Sequence, residues 1–294
     1  MNVIVFAIPV FLLAIAVEYG ASVWMGRRIY RLNDAVNSLS LGILSQISGV
    51  FTKLLTIGIY AALFSEVALW RLPANDWSVW LFAVLAYDFC YYWNHRLGHV
   101  CGVFWAAHVV HHQSEDYNLT TALRQTSSGA LLSWLFYVPL AVLGVPPLVF
   151  AIVGLIDLLY QFWIHTELVG KLGWFDRVFA SPSNHRVHHA VNRKYLDRNY
   201  GGILIIWDRL FGTFTPESQD EAPVYGITTP LDKPFHPIQV ITHEWKAIGE
   251  DLHKNIPFAT KLKYIFNPPG WSHDGSRKTS KELQKEWQRK NASV

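Results

Sequence analysis

Charged residues are scarce in this 294-residue chain: Asp, Glu, Lys and Arg together make up 16% of it. So few charges argue against an ordinary soluble surface. The 51% hydrophobic content, 13 tryptophans and mean hydropathy of +0.17 point to a membrane protein of one or two domains. The net charge is only +3, and the basic residues gather in connecting segments and near the C-terminus. That pattern speaks against a nucleic-acid partner and for topology signals or contacts to anionic lipid heads. Cysteine is nearly absent. Cys90 and Cys101 lie in an apolar stretch and beside a histidine cluster, and two such residues build no disulfide framework. The N-terminal MNVIVFAIPVFLLAIAVEYGA lacks the positive start of a signal peptide. A retained first membrane helix is expected, uncharged from Met1 to Val17, with Glu18 at an interface or facing the protein interior.

Four further apolar stretches follow, at 39–65, 77–94, 129–143 and 147–164. The last two are split by Gly144-Val145-Pro146-Pro147, which reads as a tight helix–helix turn because proline lacks the N–H that a helix needs. The expectation is an all-α integral membrane protein with four to five membrane helices. Arg27, Arg28 and Arg31 follow the first helix and place that loop in the cytoplasm by the positive-inside rule. The crossings then put 95–128 and everything after 165 on the same side, as a helical cap. Residues 1–275 read as a single membrane domain, and 276–294 as a basic polar tail that is a solvated helix or disordered.

What the chain has in abundance is histidine at regular spacing. Nine of the 13 histidines lie between positions 95 and 189. His95 and His99 are one helical turn apart. His108, His111 and His112 form one H-x-x-H-H box, and His185, His188 and His189 repeat it; His165 stands between, with Gln161 four residues before it. Positions i, i+3 and i+4 share a helix face, so each box is expected to aim its imidazoles at one point, making two half-sites. A lone histidine is usually a satisfied core or surface residue. Two repeated boxes plus three more histidines on one membrane face predict metal, and nine imidazoles exceed the needs of one ion, so a two-metal site is the economical reading. His236, His243, His253 and His273 show no such spacing and are left outside it. Asp88, and the Asp157–Gln161–His165 stripe, place polar groups in apolar helices; they are candidates to accept the outer N–H of the ligand imidazoles, or else to pair with an arginine or tyrosine and hold the bundle together.

These boxes resemble those of the fatty acid hydroxylase and sterol desaturase superfamily of membrane diiron oxygenases. The stretches HHQSEDYNLTTALRQ, LLYQFWIHTE, HRVHHAVNRKYLDRNYGGILIIWDRLFGTF, VYGITTPL and PPGW are similar to its alkylglycerol monooxygenase branch, from about residue 31 to Trp271. The resemblance implies two irons held by His95, His99, His108, His111, His112, His165, His185, His188 and His189. It further implies O2 and tetrahydropterin as co-reactants, and hydroxylation of a membrane ether lipid next to its oxygen, giving an aldehyde and a glycerol derivative. Glu115, Asp116, Tyr117, Asn118 and Arg124 are the candidates for cofactor contacts. Val100 departs from the pattern, since the animal members carry glutamate directly after the second histidine of the first box; Glu115 or Glu167 are the candidates to replace it. No fused cytochrome b5-like domain is expected; a separate electron donor protein or a small reductant is expected in its place. Two alternatives stand beside this reading: a hydroxylase or desaturase of sterols, fatty acyl chains or bacterial-type lipids, and a metal-binding membrane transporter or sensor. Transporters place ionisable groups near the bilayer midplane, whereas these histidines cluster at helix ends.

Overall fold

The computed structural model describes residues 3–292, so Met1 and Asn2 of the expected first helix, and Ser293 and Val294 of the tail, lie outside the described residues. Among the described residues every regular element is a helix; only two isolated bridges, Phe179 with Leu204 and Ala190 with Tyr225, pair extended backbone. The long elements come first: α1 (Val3–Trp24), α2 (Leu32–Val67) and α3 (Trp77–Val100). Three one-turn helices follow, α4 (Gly102–Ala106), α5 (Val109–His112) and α6 (Leu119–Leu123). The chain then forms the hairpin α7 (Ala130–Val142) and α8 (Pro147–Trp163), and next α9 (Phe175–Val178), α10 (Pro182–His189) and α11 (Ile206–Leu210). It ends in α12 (Pro237–His253), α13 (Phe258–Phe266) and α14 (Ser280–Asn291).

Local chemistry sets these boundaries. Asp76 caps α3 by accepting from Ser78 N at 2.8 Å, and Pro147 suits the first turn of α8, where no N–H is needed. Gly144 makes the α7–α8 turn with φ +82°, and a Cβ there would sit 2.0 Å from Trp70 O. That close approach joins the α7–α8 turn to the α2–α3 connection: Leu69 N donates to Val142 O and Leu72 N to Gly144 O. Two hairpins, α2–α3 and α7–α8, therefore pack as a bundle whose connecting turns meet at one end. Tyr60, Tyr137, Leu140 and Val149 lie in its core, with Tyr60 stacked on Phe150 at 3.9 Å.

Two expectations change. Among the described residues only α1 and α2 are long and apolar enough to cross a membrane, while α7 and α8 are shorter apolar helices of 13 and 17 residues. At 1.5 Å per residue α7 reaches about 20 Å, less than a hydrocarbon core of ~30 Å. The four-to-five-span count therefore does not follow from the helix lengths. Helix α2 is also longer than the stretch 39–65, because its polar first turns do not end it: Asp34 and Ser38 are buried against the segment carrying the first histidine box. Helix α3 likewise runs on through His95 and His99.

Candidate metal centre

All nine histidines meet at the end of the bundle opposite the joined turns. Helix α3 delivers His95 and His99 one turn apart. The segment around α5 brings His108, His111 and His112, the exit of α8 brings His165, and α10 brings His185, His188 and His189. Ser181 caps α10 by accepting from Asn184 N, and Pro182 occupies its first turn. The possible ligand atoms form two sets, each with all its atoms within 4.8 Å of one another: His95, His99, His108, His112 and His188, and then His111, His165, His185 and His189.

The expected half-sites are therefore wrong in their membership. Each box splits: His111 leaves the first box for the second set, and His188 leaves the second box for the first. The cause is elementary. Neighbours in a helix point about 100° apart, so His111 and His112, or His188 and His189, cannot face one point.

The rings are held from outside. His95 Nδ1 donates to Tyr200 O at 2.8 Å, His111 Nδ1 to Arg124 O at 2.8 Å, His165 Nδ1 to Gln161 O at 2.7 Å and His188 Nδ1 to Arg198 O at 2.9 Å. A carbonyl can only accept, so these four rings carry their proton on Nδ1 and turn a bare Nε2 lone pair inward. There the Nε2 atoms crowd together: His165 to His111 at 3.2 Å, His185 to His165 at 3.1 Å and His188 to His112 at 3.2 Å. The Nε2 atoms of His95, His99 and His189 are buried without a hydrogen-bond partner. Burial pushes the His111 imidazole down to about 4, and it holds His108, His112, His165, His185, His188 and His189 well below the usual imidazole range. The neutral rings that a metal requires are thus the rings present.

The expected carboxylate partners work differently. Asp88 binds no imidazole; it accepts from Ile203 N at 2.7 Å, Leu204 N at 3.1 Å and Trp207 Nε1 at 2.8 Å. It anchors the segment whose Tyr200 carbonyl holds His95. Asp157 accepts from Gln161 Nε2 at 2.7 Å, and Gln161 reaches His165 through its backbone oxygen rather than its side chain. The side-chain oxygen of Gln161 accepts from Tyr91 at 2.7 Å. The imidazole partners are mostly backbone carbonyls, which carry no signature in sequence. The segment 197–200 was missed for that reason, as was Asp208, which accepts from Tyr200 N and Gly201 N.

The cofactor candidates are engaged within the protein. Glu115 and Asp116 pair with Arg31 at 3.0 Å and 2.8 Å. The Tyr117 hydroxyl donates to Ile164 O at 2.9 Å, and its ring stacks on Tyr225. Asn118 caps α6 and donates to Ile29 O at 2.6 Å. Arg124 is buried; its Nε donates to Val110 O at 2.7 Å, and Asp34 lies 3.6 Å from its guanidinium. The segment is a clasp that fixes the first box to α2. Glu18 faces inward, accepting from Leu119 N, Tyr30 and Thr166, so α1 is tied to the residue after His165. Of the two candidates to replace the missing glutamate, Glu115 faces Arg31 and Glu167 faces Arg27 at 3.2 Å. The four remaining histidines stay outside both sets; His243 receives Gln113 Nε2, and His273 meets the Tyr264 hydroxyl.

Residues 80–213 match the family described as fatty acid hydroxylase. The chain is 43% identical to the alkylglycerol monooxygenase of Homo sapiens over 267 residues, 90% of this chain and 59% of that protein. It is 44% identical to the alkylglycerol monooxygenase of Xenopus tropicalis over 84% of this chain and 54% of the relative. It is also 30% identical to an ornithine lipid hydroxylase of Rhizobium tropici over 50% of this chain and 45% of the relative. The chain thus spans little more than half the length of the alkylglycerol monooxygenases it matches. No solved structure matches. The segment that carries all nine histidines is the part that matches the fatty acid hydroxylase family, inside a longer stretch similar to alkylglycerol monooxygenases.

Proposed function

We propose that the chain is an O2-dependent membrane lipid monooxygenase whose nine histidines hold two iron ions, and that it acts on alkylglycerol ethers. The observation that carries the reading is the inward crowding of Nε2 atoms, with those of His111 and His165 both unprotonated at 3.2 Å, for which a shared cation is the natural partner. The donor set fits: neutral imidazole suits iron, and two sets of five and four rings exceed what one ion takes. In this reading His95, His99, His108, His112 and His188 hold one ion, and His111, His165, His185 and His189 the other.

When bound, such an iron pair supplies O2 activation and delivery of one oxygen atom to an unactivated C–H bond. The chain's own residues do the rest. The carbonyls of Tyr200, Arg124, Gln161 and Arg198 keep Nδ1 protonated and Nε2 free. Burial keeps the rings neutral and water away. The ether-lipid substrate rests on the similarity to alkylglycerol monooxygenases. Oxygen enters the C–H bond beside the ether oxygen, the second oxygen atom leaves as water with two electrons and two protons, and the hemiacetal divides into a fatty aldehyde and a glycerol derivative. Tetrahydropterin is the proposed reductant, with a separate electron donor protein as the other source. Residues 1–275 are proposed as one membrane domain. The histidine end is proposed to face the cytoplasm, because the basic loop after α1 lies there, with Arg27 on Glu167 and Arg31 on Glu115 and Asp116.

The test is purified protein in lipid nanodiscs with Fe(II), tetrahydropterin, an alkylglycerol and 18O2. Fatty aldehyde carrying the label is expected. Turnover of an ornithine lipid instead would favour the other relative's chemistry. Weak, freely exchanging metal with no product would favour a transporter or sensor.

A further inference from the structure

Among the described residues two non-glycine residues have left-handed backbone: Asp197 at φ +54° and Asn199 at φ +57°. That conformation is uncommon for L-residues, though Asp and Asn tolerate it best. Both stand in a strap along the five-histidine set. The Arg198 carbonyl between them accepts from His188, and the Tyr200 carbonyl just after them accepts from His95.

The strap is pinned at nearly every position. Asn199 Nδ2 donates to Asn184 O at 3.0 Å and Thr215 O at 2.8 Å, and its Oδ1 accepts from Thr215 N. Asp208 accepts from Tyr200 N at 2.8 Å and Gly201 N at 2.7 Å, while Gln284 Nε2 donates to Leu196 O at 2.7 Å. The side chain of Asp197 takes no part in this pinning. Its Oδ1 faces His99 Nδ1 at 3.6 Å, within ion-pair reach and just beyond hydrogen-bond length. His95, His111, His165 and His188 lean on neutral carbonyls; His99 alone of these rings faces a carboxylate.

We infer that Asp197 is a positioning residue of the five-histidine set: its negative charge lies against the Nδ1 edge of His99, favours the tautomer with the proton on Nδ1, orients the ring and raises the basicity of Nε2 towards a metal. This rests on the proposed metal site. A carboxylate behind a ligand imidazole fixes its tautomer, and its removal typically lowers metal affinity 10–100-fold, taken as about that range here. The bland alternative is that Asp197 is present only because the turn needs a residue that tolerates positive φ. Glycine or asparagine would then serve equally well.

The two readings separate in a Co2+ titration of metal-stripped protein in nanodiscs, followed by visible absorption and chelator competition. Asp197→Asn keeps shape and turn preference, and Asp197→Gly is the residue most at ease with the backbone. In both variants one of two Co2+ equivalents should bind about 10–100-fold more weakly, the other should bind as in the parent, and the metal-free protein should melt where the parent does. Parent-like binding of both equivalents overturns the inference. So does a loss of both equivalents together with a lowered melting temperature of the metal-free protein, which marks a scaffold role. A parent chain that takes up no Co2+ would instead refute the metal site itself, and this inference with it.

Discussion

His111 Nε2 lies 3.2 Å from His165 Nε2, although both rings have already committed their Nδ1 protons to backbone carbonyls. Two lone pairs face each other across a hydrogen-bond distance with no hydrogen between them. A cation resolves that conflict, and its removal restores it. Metal-stripped protein is therefore expected to melt at a lower temperature and to recover when Fe(II) or Co2+ is returned. A ligand held at 100 times its Kd adds about 2.7 kcal/mol to folding stability. Thermal unfolding followed by circular dichroism, with and without chelator, measures the difference; identical melting in both conditions would count against a metal centre.

The splitting of each histidine box makes a sharper prediction. His111→Ala with His165→Ala removes two ligands from one set, whereas His111→Ala with His112→Ala removes one from each. The first pair should abolish one class of metal binding and spare the other. The second should weaken both. Box-wise half-sites would give the reverse assignment. In either double variant O2-dependent turnover should fall by at least ~100-fold, the lower order expected when a reacting centre loses its support, while helical content stays that of the parent.

Arg124 tests whether the polar run after the first box is structural. Burial holds its guanidinium down at about 10, so it remains charged at neutral pH beside Asp34. Arg124→Met removes the buried cation beside Asp34, which keeps Arg31 at 3.5 Å and Ser114 at 2.7 Å, and it leaves buried Val110 O without this donor, which should cost about 1–3 kcal/mol. Arg124→Lys should recover only part of this, because one ammonium cannot reach Val110 O, Ser38 and Gln113 together as the planar guanidinium does. Denaturant unfolding reads the loss. Full stability with impaired tetrahydropterin use would instead return Arg124 to the cofactor role.

The nine histidines were legible in sequence because imidazole is rare and its spacing is helical. The pairing among them was not, because it depends on which face of α5 meets which face of α10, and that is settled by tertiary packing. Asp88 looked like an imidazole partner on spacing alone, yet it spends its carboxylate on Ile203 N, Leu204 N and Trp207. The true partners of His95 and His188 are carbonyls of Tyr200 and Arg198, and any residue type can supply a carbonyl. The turn at Gly144–Pro147 was readable from proline and glycine. The extension of α2 to Leu32 was not, since the polar residues that suggested a loop are buried against SEDYNLTTALRQ.

The C-terminal segment carries the last prediction. Residues 276–294 read as a polar tail that is a solvated helix or disordered; among the described residues it forms helix α14, with no buried residue, a capping box between Thr279 and Glu282, and a contact back to the body of the protein. Arg277 pairs with Asp251 at 2.6 Å, and Gln284 donates to Leu196 O one residue before the strap that carries Asp197. Leu196 O loses a protein donor when Gln284 is shortened, and the strap loses one of its pins. Gln284→Ala should therefore speed the loss of bound Co2+ to a chelator several-fold, in the equivalent held by the five-histidine set, with a stability change of only about 1 kcal/mol, the size of one neutral hydrogen bond. Truncation before residue 276 should do the same more strongly. Chelation rates unchanged in both would show that α14 rests on the strap without steadying it.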